Sequence, residues 1–414
     1  MDLSDLGARA VAAARALAAA PSAQKDEALE AMAEALLACT GRIVEANAKD
    51  LAAAEADGIS GALLDRLRLT EARVASMAAA VRKVAAQPDP VGRVLDGWRL
   101  PNGVQVEKIA VPLGVLAIIY EARPNVTVDA AALAVKSGNA VLLRGYSTAL
   151  TSNTLLAEIL REATGSAGLP PDAVQLVGDT SRDAALALMR LDGYVDVLIP
   201  RGGPSLLQSI HENATVPVIV DGAGVCHVYV DAAADLDRAT PIVLNAKVQR
   251  PSVCNAAESL LVHRDVADVW LPRVAVALTE AGVELRGDTA ACALVPSMQP
   301  ATEADFATEF LDLIMSVKVV ASLDEAIAHV NATGTGHTEA ILTEDYAAAE
   351  RFVAQVDAAV VAVNASTRFT DGEEFGFGAE IGISTQKLHA RGPMALAELC
   401  THKYILRGAG QIRA

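Results

Sequence analysis

Aromatic side chains are scarce in this sequence: two Trp, six Tyr and six Phe make 3% of 414 residues, although hydrophobic residues make 52%. Alanine, valine and leucine must fill the interior, which suits many small helices packed on a parallel sheet. Positive charge is short as well, with 34 Lys and Arg against 51 Asp and Glu and a formal net charge of -17. A phosphate backbone selects for basic surfaces, so this balance argues against nucleic acid as a partner, and no basic stretch offsets it. The cysteines Cys39, Cys226, Cys254, Cys292 and Cys400 are scattered, without a CxxC pair. That pattern argues for a reducing compartment and against a disulfide framework or a cysteine zinc site, and no metal is expected. Long apolar runs are missing too; none approaches the roughly 20 residues of a membrane-spanning helix. Asp2 and Asp5 precede an alanine-rich amphipathic stretch, unlike the basic and apolar regions of a signal peptide. The expectation is a soluble, cytoplasmic protein with no membrane partner.

A chain of this length predicts two or three domains. Residues 1 to about 90 carry alanine and leucine at helical spacing, with breaks at Pro21, Gly41, Gly58 and the Gln87–Pro90 segment. Asn102-Gly103 between alternating apolar runs predicts a hairpin. From Val111 to about Asp231, short apolar runs alternate with helical segments. Strands are expected at Val115–Tyr120, Ala140–Arg144, Val174–Val177, Val195–Pro200 and Val216–Val220, with helices at Thr127–Ser137 and Ser152–Thr164. Such βαβ alternation implies a parallel sheet covered on both faces, with ligands at the carboxyl ends of its strands. A second alternating region includes a helix at Leu236–Val248, a strand at Glu258–Val262 and a helix at Val266–Ala281, and runs to about Asn364. Tyr404–Leu406 predicts an added edge strand. Two α/β domains with a small β extension is the simplest organisation.

The segment Asn245-Ala246-Lys247-Val248-Gln249-Arg250-Pro251-Ser252-Val253-Cys254-Asn255 carries the strongest chemical signal. A helical pattern stops at a proline and a cysteine follows among polar groups, which predicts a loop-to-helix junction able to stabilise a thiolate. A lone cysteine is more often a small buried hydrophobe. Lys247, Arg250 and Ser252 single this one out, because cations lower a thiol pKa and hold anionic substrates. The other four lie within apolar patterns.

This segment, with Tyr120-Glu121-Ala122-Arg123-Pro124-Asn125-Val126-Thr127, resembles the gamma-glutamyl phosphate reductase family of the aldehyde dehydrogenase superfamily. So does the tail from Arg368-Phe369-Thr370-Asp371-Gly372 through Phe375–Glu380 to Ser384–Pro393. The resemblance runs over essentially the whole chain and implies an aldehyde dehydrogenase-like α/β fold, with two parallel-sheet domains and a β oligomerisation arm. It makes 1–95 and 111–231 an NADP-binding domain, 232–364 the catalytic domain, 96–110 and 395–414 the arm, and 365–394 an active-site and return segment. Where the superfamily has Lys-Pro-Ala-Glu after a strand, this chain has Arg144-Gly145-Tyr146-Ser147. Replacing a ribose-gripping glutamate by Ser147 beside the cation of Arg144 implies NADPH, although a solvated strand end is the plainer reading of Arg144 alone. Arg201-Gly202-Gly203 is matched to the pyrophosphate turn, and Asp312 to the nicotinamide ribose or, equally, to a helix surface.

Catalysis is assigned by the same resemblance to Cys254, with the Asn125 amide and the Cys254 N–H holding the oxyanion. Arg123, Lys247, Arg250, Ser252, His389 and Arg391 are the candidate substrate residues, the last two equally readable as loop supports. Hydrolytic superfamily members carry a glutamate base at a position that is Val220 here; Asp221 follows and, on a strand, points the other way. The implied reaction is NADPH reduction of L-glutamyl 5-phosphate to L-glutamate 5-semialdehyde and phosphate in proline biosynthesis, by a homo-oligomer, with contact to a glutamate 5-kinase left open. An aldehyde dehydrogenase that makes a carboxylate, and a catalytically silent scaffold, are the competing readings.

Overall fold

The computed structural model describes residues 2–220 and 222–413 and divides into two units, Met1–Val220 with Gly376–Gly382 and Met394–Ala414, and Asp221–Phe375 with Ile383–Pro393. In the first unit the alanine-rich N-terminus forms α1 (Ser4–Ala18), α2 (Ser22–Ala38), α3 (Thr40–Ala56), α4 (Gly61–Leu67) and α5 (Glu71–Ala85). The hairpin follows as β1 (Val94–Arg99) and β2 (Gln105–Pro112), antiparallel, with Gly103 at φ 89° in the turn. A left-handed backbone of this kind is what glycine permits.

The alternating region builds β3 (Val115–Tyr120), α6 (Asn125–Lys136), β4 (Ala140–Gly145), α7 (Leu150–Ser166), β5 (Val174–Leu176), α8 (Arg182–Met189), β6 (Val197–Arg201) and α9 (Pro204–Asn213). The strands form a parallel sheet in the order β5-β4-β3-β6. Every residue of β3 and β4 is buried, as expected for strands covered on both faces. Polar groups fasten the helices to this sheet. Tyr120 Oη lies 2.7 Å from Thr127 Oγ1, which donates to Asn153 Oδ1 at 3.0 Å. Asp50 accepts from the N–H and hydroxyl of Ser152 at 2.7 and 2.6 Å, capping α7 from α3.

The strand expected at Val216–Val220 does not form. Pro217 interrupts the run and cannot donate to a ladder, so only a single bridge, Leu198 to Val218, remains. Without a strand, the opposite-face argument for the residue after Val220 has no basis, and Asp221 itself lies outside the described residues. Strand Cys400–Arg407 pairs antiparallel with β2, extending the hairpin to three strands.

The second unit contains β7 (Cys226–Val230), α10 (Leu236–Val248), β8 (Ala257–His263), α11 (Arg264–Glu280), β9 (Glu284–Gly287), α12 (Thr289–Leu294), β10 (Gln299–Pro300), β11 (Ile314–Val320), α13 (Leu323–Thr333), β12 (Thr338–Leu342), α14 (Tyr346–Gln355) and β13 (Val360–Val363). Its parallel sheet runs β10-β9-β11-β8-β7-β12-β13. Because β7 pairs with β8 and β12, the division falls after 220, not after 231. Trp270 is fully buried here, its indole N–H donating to Leu236 O and Thr240 Oγ1 at 3.1 and 3.0 Å. Among the described residues no helix is long and apolar enough to cross a membrane.

A histidine pair sits in this unit. His227 meets Glu339 at 2.9 Å, and His329 packs edge-on to His227 and Phe306 at 5.8 and 5.4 Å between ring centroids. Burial, with the nearby charges of His227 and Lys318, holds the His329 imidazole down at about 4. A depressed histidine binds fewer protons folded than unfolded, so its contribution to stability is present above about pH 6.5 and lost as pH falls towards 4. His329→Phe keeps the ring contacts and removes the titration. Its thermal midpoint is expected to fall less than that of the unmodified protein between those pH values; parallel declines in both proteins would assign the acid sensitivity elsewhere.

Candidate active site

Helix α10 starts at Asp235, whose carboxylate accepts from the N–H groups of Asp237 and Arg238, both at 3.1 Å. It ends at Val248, and Gln249 to Ala256 run in turns directly into β8. Cys254 is thus in a turn leading to a strand, and the expected loop-to-helix junction is absent. The helix end before it is a C-terminus, whose carbonyls do not favour a thiolate. Positive charge comes instead from Arg368, which interacts electrostatically with Cys254.

The backbone at the thiol is held tightly. A Cβ on Gly224 would lie 1.5 Å from the Cys254 carbonyl oxygen, so only glycine fits there. The same carbonyl accepts from Cys226 Sγ at 3.1 Å, and the Gly224 N–H donates to Glu309 at 2.6 Å. Asn255, which is buried, donates to Thr370 O at 2.8 Å and accepts from Arg368. Arg368 also donates to Gln249 Oε1 at 2.7 Å. Cys254 is half-buried, whereas Cys226 and Cys400 are buried and burial pushes their thiols up, Cys400 to about 12. Neither is a nucleophile.

Two predicted substrate residues, Lys247 and Arg391, have other partners. Lys247 is fully buried and paired with Glu258 at 2.5 Å, so it does not meet a substrate; the sequence hid this because its partner lies on β8. Burial moves the Glu258 carboxyl up to about 7. Arg391 binds Asp357 at 2.9 Å and Lys387 binds the same carboxylate at 2.6 Å, which supports the loop reading. His389 is exposed in this segment, with φ 69°. Arg250 is exposed and Ser252 half-buried in the Cys254 turn. Asp312 lies in the turn before β11, not on a helix, where it accepts from the Leu313 N–H at 2.7 Å. In the first unit Arg123 is half-buried, and the Asn125 amide donates to Asp129 on its own helix at 3.1 Å.

In the second unit, sequence reasoning does not single out three of the groups that meet near this turn. Arg368, Asp371 and Glu374, with Asn245, Gln249, Phe369 and Glu373, line a cavity of about 260 Å3 in the second unit. Their signal was present in the Arg368–Gly372 motif, but only folding brings it to Gln249 and Asn255.

A larger cleft of about 750 Å3 opens in the first unit at the carboxyl end of β4, lined among others by Arg144, Tyr146, Ser147, Arg182 and Ser205. Arg144 is 5% exposed, and its Nη2 donates to Thr180 O and Ser181 O at 2.6 and 3.1 Å. It is therefore no solvated strand end. Its Nε is buried without a partner, as expected if a ligand completes it. Arg182, at the start of α8, is a second cation that the sequence did not single out. At the end of β6, a Cβ on Gly202 would meet Leu206 and Glu121 at 2.7 and 2.8 Å, and the Gly203 N–H donates to Glu121 at 2.9 Å.

The aldehyde dehydrogenase family model matches residues 3–308 and 306–380. The chain belongs to this family. Gamma-glutamyl phosphate reductases from Thermobifida fusca and Moorella thermoacetica are 58% and 57% identical to it, over 100% of this chain and 99% of each relative. The crystal structure of gamma-glutamyl phosphate reductase from Thermotoga maritima matches with a TM-score of 0.98 at 46% identity, covering 100% of both chains. Aldehyde dehydrogenase chemistry fits a half-buried thiol held on a rigid turn.

Two experiments check the assignment. Cys254→Ala is expected to abolish turnover, while Cys39→Ala and Cys292→Ala leave most of it; near-normal turnover in Cys254→Ala ends the covalent mechanism. Gly224→Ala forces its Cβ onto the Cys254 carbonyl. It is expected to lower kcat by about a hundredfold or more while circular dichroism stays native, since small displacements of a reacting group carry large rate penalties. Unchanged kcat would show that the turn tolerates movement.

Proposed function

We propose that this protein reduces L-glutamyl 5-phosphate to L-glutamate 5-semialdehyde and phosphate, the second step of proline biosynthesis from glutamate. The observation that carries the reading is full-length identity of 55–58% to gamma-glutamyl phosphate reductases, in a chain whose half-buried thiol lies on a fixed turn. Cys254 attacks the acyl carbon, the carbon–oxygen bond to phosphate breaks, and a thioester forms. The Cys254 N–H and the Asn125 amide are the proposed oxyanion donors. A bound nicotinamide cofactor supplies hydride. After hydride addition the thiohemiacetal collapses, returning the thiolate and releasing the aldehyde.

The cofactor is NADPH in this reading. Arg144 and Ser147 support it: the cleft carries a buried cation with an unpartnered Nε, and a hydroxyl where the superfamily has a carboxylate. Arg201, Gly202, Gly203 and Asp312 complete the proposed cofactor set. Arg123, Arg250, Ser252 and His389 remain proposed substrate contacts. The three-stranded sheet exposes Leu95, Trp98, Tyr404 and Leu406, an apolar surface that supports assembly of a homo-oligomer in the cytoplasm.

Two measurements test the proposal. Val220 stands where hydrolytic members carry their glutamate base, so this reading gives water near the thioester no carboxylate from that position. Semialdehyde with NADP+ is expected to give sustained NADPH only with phosphate or arsenate present, and otherwise a burst of about one equivalent per site. Rapid, sustained glutamate formation without phosphate would refute this. Specificity constants for NADPH should exceed those for NADH, and Arg144→Ala should narrow the gap by about tenfold or more, as befits a charged hydrogen bond. Equal constants in the unmodified enzyme remove the cofactor argument.

A further inference from the structure

The cavity beside the Cys254 turn holds charges of both signs, and that mixture identifies what it takes. Its cation is Arg368, fixed at Nε by Gln249 and at Nη1 by Asn255, the residue after the nucleophile. Both partners are neutral amides, so they orient the guanidinium without cancelling its charge. Asp371 and Glu374 face the same cavity and act electrostatically on Arg368. The Asp371 carboxylate is itself placed by its loop, accepting from the Glu373 and Glu374 N–H groups at 2.9 and 3.4 Å.

A phosphate dianion is a poor occupant, because Asp371, Glu373 and Glu374 together outnumber the one guanidinium lining the cavity. A neutral alkyl group is a poor occupant as well, because apart from Phe369 the lining is polar, with Arg368, Asp371 and Glu374 facing it. A zwitterion answers both signs. The α-amino-acid end of a glutamyl group is such a zwitterion, joined to the reacting acyl carbon by a short methylene chain. The cavity is tied to the Cys254 turn through Arg368, which lines it and also holds Asn255, the residue after Cys254.

We propose that this cavity is the subsite for the α-amino-acid head of the substrate, with Arg368 taking the α-carboxylate and Glu374, with Asp371, taking the α-ammonium. The assignment rests on the reductase reading above and extends it to substrate selection. It also makes the Gln249 and Asn255 amides positioning groups for the fork, since each holds Arg368 by one nitrogen.

The test runs the reaction towards NADPH with phosphate, comparing L-glutamate semialdehyde with its desamino counterpart, 5-oxopentanoate, at equal open-chain concentration. The unmodified enzyme is expected to prefer the amino substrate in kcat/KM by about tenfold or more, the scale of a charge-assisted contact. Combined Glu374→Gln and Asp371→Asn should bring the ratio close to unity. Arg368→Lys should raise KM for both aldehydes and leave KM for phosphate unchanged. Glu374 is exposed, so its substitution tests the idea even if Arg368→Lys disturbs the turn. Preference that persists in the double variant places the head group elsewhere, and a rise in the phosphate KM instead makes this the phosphate site; either overturns the proposal. An unmodified enzyme that turns over neither aldehyde with phosphate would instead refute the reductase reading on which it rests.

Discussion

The closest constraint at the candidate site is a backbone contact: the Cys254 carbonyl occupies the space that a Cβ on residue 224 would need. Two segments far apart in sequence are thereby locked together at the amino ends of β7 and β8. The Cys226 thiol and the Glu309 carboxylate then saturate the groups exposed by that approach, one at the Cys254 carbonyl and one at the Gly224 N–H. A reacting group needs a fixed position, and backbone packed this closely leaves the Cys254 turn little room to shift. The helix dipole, which a cysteine near a helix suggests, plays no such part, because α10 presents its C-terminus.

Around this turn the cations sort by what neutralises them. Lys247 is fully buried against Glu258, and an ion of that kind without its partner would be costly by several kcal/mol, so the pair is structural. Arg391 shares Asp357 with Lys387 and ties down its segment. Arg368 alone among these three is oriented by neutral amides, which leaves its charge to act on whatever enters the cavity. Recognition follows from that difference, not from the number of basic residues near the thiol.

In the first unit the logic is carried by a buried sheet with its polar ends fastened. β3 and β4 are buried throughout, and the Tyr120–Thr127–Asn153 chain of hydroxyls and amide sits where they end. Gly145 is required beside it, because a Cβ there would meet Asn153 at 2.2 Å. The chain leaving β4 is consequently held close to α7, and Arg144 turns its guanidinium to the Thr180 and Ser181 carbonyls. A cleft at the carboxyl end of a parallel strand is where such sheets bind ligands.

Local pattern determined much of this protein. Apolar runs of strand length gave β3, β4 and β8, Asn102-Gly103 gave the hairpin, and Tyr404–Leu406 lies inside the strand that completes its sheet. Periodicity and turn chemistry act between near neighbours, so they can be read along the chain. Cys254 stands out in the sequence by its neighbours, although the helix junction and the open Lys247 cation expected there are absent. The tertiary structure alone decided the rest: that Val216–Val220 makes one bridge and no strand, that β7 joins the second sheet, and that Lys247 is buried against a strand residue. It also decided that Arg368 reaches Gln249 and Asn255 from more than a hundred residues away. A charged residue reads alike in sequence whether it is paired, buried or open to a ligand. Its role depends on the partner that folding brings to it, and that partner lies elsewhere in the chain.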